Sequence, residues 1–528
     1  MWCRTAFHAE CSREVYQGFK HNLKFFQSMH RKLINGSLTT KFEISVYFCL
    51  WITAIIYSIY RFSSSSYFFF QKYNDLYGDF EKGITFLSPK RDKADFEWET
   101  ILYFLKNIYP WGILHVFITE ISIKCNFSSK VLKLLQILFT SVFLIFREGP
   151  LLFALLLLQP VIFYLTHHIN PKKVFKWICS ISSLGLIVLY KWKLTSPVQK
   201  LAKINDYELY LFTLSLSWMN LKCTSFYLEV KTGSFIDFFN YCLYFPTIFT
   251  GPFILHEDFM HKYKISASIS TKLRMLNFIR NVSITIFWFI FEMVMLHYVY
   301  VSAAIFQPLQ LVEKLDNWSL YGFGYAMGQH FHIKYIVIYG LSTSLASFEN
   351  VIVPHLPRCI GRIHLYSDMW KYFDAGLYKF LVRHIYIPVV KLTSHKLLAS
   401  MTTFAFVYIW HGTALYILIW CILNYIGIVI EQTCSSLFSV NKPDMNKSCS
   451  DLSRRTKCFF GALLLAVSAI SNFYFFGGKQ IGDLFFQRVF TDSLFNTVIL
   501  VIILYCGAQV STELRSMHAR KCDNNSIK

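Results

Sequence analysis

Charge is scarce in this 528-residue chain, and acids are the scarcest part of it: Asp, Glu, Lys and Arg make up 16%, with 31 Asp and Glu against 52 Lys and Arg. Soluble domains carry about 25% charged residues, so the shortfall excludes an ordinary globular enzyme. Proline is also sparse, at 13 residues, and no polar stretch is long enough to separate two domains. The 14 cysteines form no CxxC pair and show no zinc-ligand spacing. Most lie in or beside apolar runs, where a free cysteine behaves as a small hydrophobe. Residues 1–40 lack the continuous apolar core of a cleavable signal, so the first span is expected to act as its own insertion signal.

What replaces charge is apolar and aromatic bulk. Hydrophobic residues reach 54%, including 53 Phe and 32 Tyr, and mean hydropathy is +0.40. An all-α, polytopic membrane protein follows. Apolar stretches of spanning length lie near 43–61, 101–122, 131–146, 150–167, 173–190, 207–228, 236–255, 277–306, 333–353, 397–430, 459–477 and 493–512. Several are short or amphipathic, which predicts ten to twelve spanning or re-entrant helices in one membrane domain, 43–528, preceded by a basic extension, 1–42. The net charge of +21 does not mark a nucleic-acid partner, because the cations lie in the short segments between spans. Residues 1–42 hold seven Lys and Arg against two acids, and residues 62–100 hold five against seven. That asymmetry puts the N-terminal extension in the cytosol and the first loop on the opposite side, and the basic tail from Arg515 to Lys528 suggests a cytosolic C-terminus.

Two short islands carry chemistry. From Phe404 to Ile430 there are 27 consecutive residues without Asp, Glu, Lys or Arg, more than the ~20 a spanning helix needs, and His411 sits among them in Trp410-His411-Gly412. A polar group inside a span is costly unless it is paired or faces an aqueous cavity, and an imidazole titrates near neutrality, which suits general-base work. A core histidine bonded to a neighbouring carbonyl is the competing reading. The second island lies between Arg362 and Arg383, a semipolar stretch with Asp368, Lys371, Asp374 and Lys379 set between apolar spans. As one helix it places Trp370, Asp374, Leu377, Tyr378 and Leu381 on a single face, which predicts a re-entrant helix lining a cavity and ended by Pro388. An interfacial helix with Asp374 solvated at its rim is the alternative.

An aspartate on a semipolar helix, followed 37 residues later (411 − 374) by Trp-His-Gly in an apolar run, resembles the membrane-bound O-acyltransferase family. The resemblance is closest to the branch that palmitoylates N-terminal cysteines. It is carried by Asp95-Phe96-Glu97-Trp98, Gly251-Pro252-Phe253, Leu356-Pro357-Arg358-Cys359, Met369 to Asp374, Arg383 to Val389, Phe404 to Gly412, and Ser471-Asn472 with Phe476-Gly477-Gly478. Two departures stand out. The first 40 residues have no counterpart, and Val389-Val390-Lys391-Leu392 stands where a Gly-Gly pair is expected.

The resemblance implies a central reaction chamber with His411 as catalytic histidine and Asp374 as its acidic partner. It implies Trp370 and Asn472 as substrate-binding residues, and Cys359 as a haem ligand. It further implies palmitoyl-CoA as acyl donor, and as acceptor the N-terminal cysteine of a secreted Hedgehog-type signalling protein. The product would be an amide, formed in an endoplasmic reticulum or Golgi membrane among membrane lipid. Catalytically inactive relatives lack the Trp-His-Gly histidine, which is present here. Which member of the pair takes the proton stays open at this stage. Alternatives are a relative acylating a serine hydroxyl or a lysophospholipid, and a transporter or non-catalytic membrane scaffold. A transporter is expected to show an internal repeat with paired broken helices, and none is visible.

Overall fold

A computed structural model describes residues 38–72, 78–169, 173–230, 234–261, 263, 270–440, 447–491 and 493–526. Most of the predicted basic extension 1–42 therefore lies outside the described residues. The helices, in chain order, are α1 (Leu38–Lys72), α2 (Phe96–Lys124), α3 (Ser129–Arg147), α4 (Pro150–Ile169), α5 (Lys173–Leu189), α6 (Thr195–Ala202), α7 (Asp206–Glu229), α8 (Phe235–Cys242), α9 (His256–Met260), α10 (Thr271–Met295) and α11 (Val301–Ile305). They continue with α12 (Asn317–Phe348), α13 (Tyr366–Phe373), α14 (Ala375–Leu381), α15 (Ile387–Thr393), α16 (Lys396–His411), α17 (Leu415–Val440), α18 (Lys447–Phe490) and α19 (Leu494–Ser526). One short antiparallel hairpin, β1 (Phe80–Lys82) with β2 (Lys90–Asp92), pairs Phe80 with Asp92 and Glu81 with Arg91.

Nine helices among the described residues are long and apolar enough to cross a membrane. Two long helices outside that set, α7 and α12, form the interior. Both carry too many polar side chains for the lipid surface, and both bury them: Ser215, Asn220, Lys222 and Thr224 on α7, His330, His332, Lys334 and Ser342 on α12. Buried polar groups need partners, so these helices end up where other helices can satisfy them. α12 packs against α1, α10 and α18.

Three expected elements differ. The stretch 236–255 is not a span: α8 ends at Cys242, and Pro246 and Pro252 interrupt backbone hydrogen bonding in a buried, irregular segment. The 397–430 run is two helices, because Gly412 adopts φ 141°, ψ 158°, a conformation essentially confined to glycine. The semipolar island is likewise not one helix. It breaks at Asp374 (φ −120°, ψ 83°), which ends α13 and caps α14. Nor does Pro388 end the helical path. It sits at the start of α15, which a π-turn over Val382–Tyr386 joins to α14. A proline's missing N–H does no harm in a first helical turn.

α14 is buried, with Leu377, Phe380 and Leu381 in the main core and Phe380 against Phe253 at 5.1 Å between ring centres.

Candidate active site

The break at Asp374 has a local cause. An Asp side chain readily bonds backbone N–H groups ahead of it, which favours helix starts. Its Oδ1 accepts from Leu377 N at 2.9 Å, so the carboxylate is fixed by the turn it creates. The other oxygen, Oδ2, accepts the Tyr339 hydroxyl at 2.7 Å. Tyr339 comes from α12, so the carboxylate is held from two directions by distant parts of the chain.

His411 is the last residue of α16, and the turn after it is closed by Gly412 N on the Tyr408 carbonyl at 3.1 Å. Its ring meets Trp410, Trp420 and Phe475 edge to face, at 4.9, 5.5 and 5.2 Å. Among the described residues its ring nitrogens make no hydrogen bond. The competing reading of a core histidine tied to a carbonyl therefore has no partner to rest on. The imidazole is gripped by aromatic edges and left chemically free.

Both residues are half-buried and line one cavity of about 710 Å³, together with Trp370 and Asn472. They do not touch each other. Both face the same open space, which a reacting group can enter. Trp370, on α13, donates from Nε1 to Asn424 Oδ1 at 3.1 Å and lies tilted on Trp420 at 5.4 Å. Asn472, on α18, accepts from Trp420 Nε1 at 3.1 Å and donates to the Ser468 carbonyl at 3.0 Å. The two tryptophans are thereby clamped by asparagines from α17 and α18, which fixes one wall of the cavity.

The same cavity is also lined by charged groups. Asp95 caps α2 through Trp98 N at 2.8 Å and meets both His330 Nε2 and Lys334 Nζ at 2.7 Å. Burial pushes the Asp95 carboxyl up, and Lys334 and His330 override it, holding it well below the usual carboxylate range. Lys334 also pairs with Glu97 at 2.7 Å, and the Tyr210 and Tyr335 hydroxyls donate to the same Glu97, each at 3.1 Å. Sequence reasoning missed Tyr339, His330 and Lys334. The signal was there, since a histidine and a lysine inside a spanning-length stretch are functional-site candidates by default.

Cys359 is the candidate that this grouping leaves out. It lines neither this cavity nor the smaller apolar one of about 220 Å³ beside it, and its thiol is met by Gln329 Nε2 at 3.7 Å. The geometry gives a haem there no support. Among the described residues no cluster of three or more His, Cys, Asp or Glu side chains is placed to hold a metal ion.

Comparison with known proteins gives this architecture its relatives. The chain is 28% identical over 496 residues to protein-cysteine N-palmitoyltransferase Rasp of Drosophila melanogaster, covering 91% of this chain and 96% of that one. It is 27% identical over 359 residues to protein-cysteine N-palmitoyltransferase HHAT of Mus musculus, covering 63% and 70%. To the protein-cysteine N-palmitoyltransferase HHAT-like protein of the same animal it is 22% identical over 449 residues, covering 82% and 86%. Residues 130–464, which include Asp374, Trp370 and His411, match the membrane-bound O-acyltransferase family as a whole, and the chain belongs to that family.

Proposed function

We propose that this protein transfers palmitate from palmitoyl-CoA to the N-terminal cysteine of a secreted, Hedgehog-type signalling protein, leaving an amide, within an endoplasmic reticulum membrane. One observation carries the proposal: a single cavity of about 710 Å³ is lined by both a free imidazole, His411, and a firmly oriented carboxylate, Asp374.

Aminolysis of a thioester needs a neutral amine, removal of a proton as the carbon–nitrogen bond forms, and stabilisation of the tetrahedral oxyanion. His411 is the group free to accept that proton. Asp374, with an oxygen bonded to Tyr339, orients the attacking amine. Trp370 and Asn472 hold the acyl end of the donor against the clamped aromatic wall. An acceptor from the lumen enters past Asp95 and Glu97, the end nearest the acid-rich first loop.

Acid–base chemistry supports an N-terminal amine over an internal lysine as acceptor. An α-amine has an unperturbed pKa of ~7.7 to 8.0, while a lysine amine at ~10.4 is almost wholly protonated at neutral pH. The test uses labelled palmitoyl-CoA with N-terminal-Cys peptides. The free peptide should yield a hydroxylamine-resistant product, an N-terminal Ser peptide should be a weak substrate, and an N-acetylated Cys peptide should yield no amide. Efficient acylation of the acetylated peptide, or a hydroxylamine-labile product, would assign the protein to S- or O-acylation instead.

A further inference from the structure

One cation in the chamber has no place in that scheme. Lys191 belongs to the apolar span Trp177–Ala202 and lines the same cavity as His411 and Asp374. An ammonium within a span is normally paired, or else snorkels to the interface. Lys191 instead lines the chamber. Among the described residues it makes no ion pair, in contrast to Lys334 of the same cavity, which has two. Its Nζ donates instead to the carbonyl of Trp410 at 3.4 Å, the residue before His411.

Local backbone geometry explains how it gets there. Residues Tyr190–Leu194 form a π-turn, closed by Thr195 N on the Tyr190 carbonyl, and such turns re-aim side chains and recur at functional sites. The neighbouring Lys193 is exposed and lies over the exposed Trp192 ring at 4.4 Å, while Lys191 is turned inward. A positive charge at the end of α16 is favoured by the helix dipole, which accounts for its anchorage but not for an uncompensated charge facing a reaction cavity.

We propose that Lys191 is the charge that stabilises the tetrahedral oxyanion of the acyl transfer, held in place by the Trp410 carbonyl. The proposal rests on the acyltransferase reading above. When the amine nitrogen bonds the thioester carbon, the carbonyl π pair moves onto oxygen. The amine proton passes to the base, the C–S bond then breaks, and the thiolate leaves to be protonated as CoA-SH. Only the middle of this sequence places a full negative charge on the acyl oxygen, and that charge is what the ammonium meets.

The test compares full-length wild-type protein with Lys191→Gln, which keeps an N–H donor for the Trp410 carbonyl and removes the charge, and with Lys191→Arg, which restores it. With palmitoyl-CoA and an N-terminal-Cys peptide, Lys191→Gln should lose about 10²–10³-fold in kcat, as for removal of an oxyanion-stabilising donor, with donor KM changed little. Lys191→Arg should recover most of the loss. A binding measurement separates charge stabilisation from a structural role. An alkylphosphonyl-CoA, anionic and tetrahedral at phosphorus, should lose at least about tenfold in affinity for Lys191→Gln while palmitoyl-CoA binding is retained. Equal losses for the two ligands, a kcat within twofold of wild type, or an effect confined to KM would overturn the assignment. If wild-type protein transfers nothing, the acyltransferase reading fails on its own. If it transfers and the phosphonate is bound equally by both proteins, only the role of Lys191 falls.

Discussion

Tyr339→Phe is the sharpest probe of how Asp374 is held. The substitution deletes one oxygen and keeps the ring, so the edge contact with Tyr335, at 5.3 Å between centres, survives. What disappears is the 2.7 Å bond to Asp374 Oδ2. A hydrogen bond to a charged group contributes about 1.5–3 kcal/mol, and a tenfold rate change corresponds to about 1.4 kcal/mol. If the hydroxyl fixes the carboxylate for the transition state, kcat/KM should therefore fall about 10- to 150-fold. Stability should change less than activity, because the freed oxygen belongs to a half-buried side chain that lines the cavity. The assay is palmitoyl transfer to an N-terminal-Cys peptide, run in a double-mutant cycle with Asp374→Ala. Once the carboxylate is gone, removing the hydroxyl should cost nothing further. A Tyr339→Phe enzyme within twofold of wild type, or one that loses the same factor in the Asp374→Ala background, would refute the reasoning.

Three further outcomes are expected. His411→Ala and Asp374→Ala should each reduce transfer strongly, and the double variant should lose little more than the worse single one, since both act on one reactant; fully additive losses would show separate roles. Gly376→Ala should abolish the folded protein in detergent thermal-shift assays, because a Cβ there would lie 2.2 Å from the Phe253 carbonyl oxygen, backbone that cannot yield, at a cost of about 3 kcal/mol or more; normal melting would mean the α14 approach is looser than described. In the first loop, burial pushes Asp92 up to about 7 although Ser302 N and Ala303 N donate to it. Its folded pKa exceeds the ~3.9 of an unfolded aspartate, so its contribution to stability is fully present below that value and is lost as pH rises toward about 7. Melting temperatures of wild type and Asp92→Asn across that window should show a decline that only the wild type displays, and parallel curves would exclude it.

Several features of this protein were readable in the linear chain because they depend on local or summed properties. Scarce charge and abundant Phe and Tyr dictate a helical membrane protein, since only internally hydrogen-bonded backbone tolerates hydrocarbon. His411 and Asp374 stood out because an ionisable group in an apolar setting is costly wherever it ends up. Other features were settled only by the packed structure. Period alone made one helix of Arg362–Arg383, and the Asp374 carboxylate competing for the Leu377 N–H made two. An uninterrupted apolar run hid the end of α16, which depends on the backbone of a single glycine, Gly412. Tyr339 and Lys191 reach the chamber from α12 and from a π-turn, 35 residues before Asp374 and 219 before Trp410. Nothing in their neighbouring sequence encodes those meetings. Contact between residues so far apart is set by how polar interior helices find partners inside the bundle, and that is a property of the whole packed arrangement.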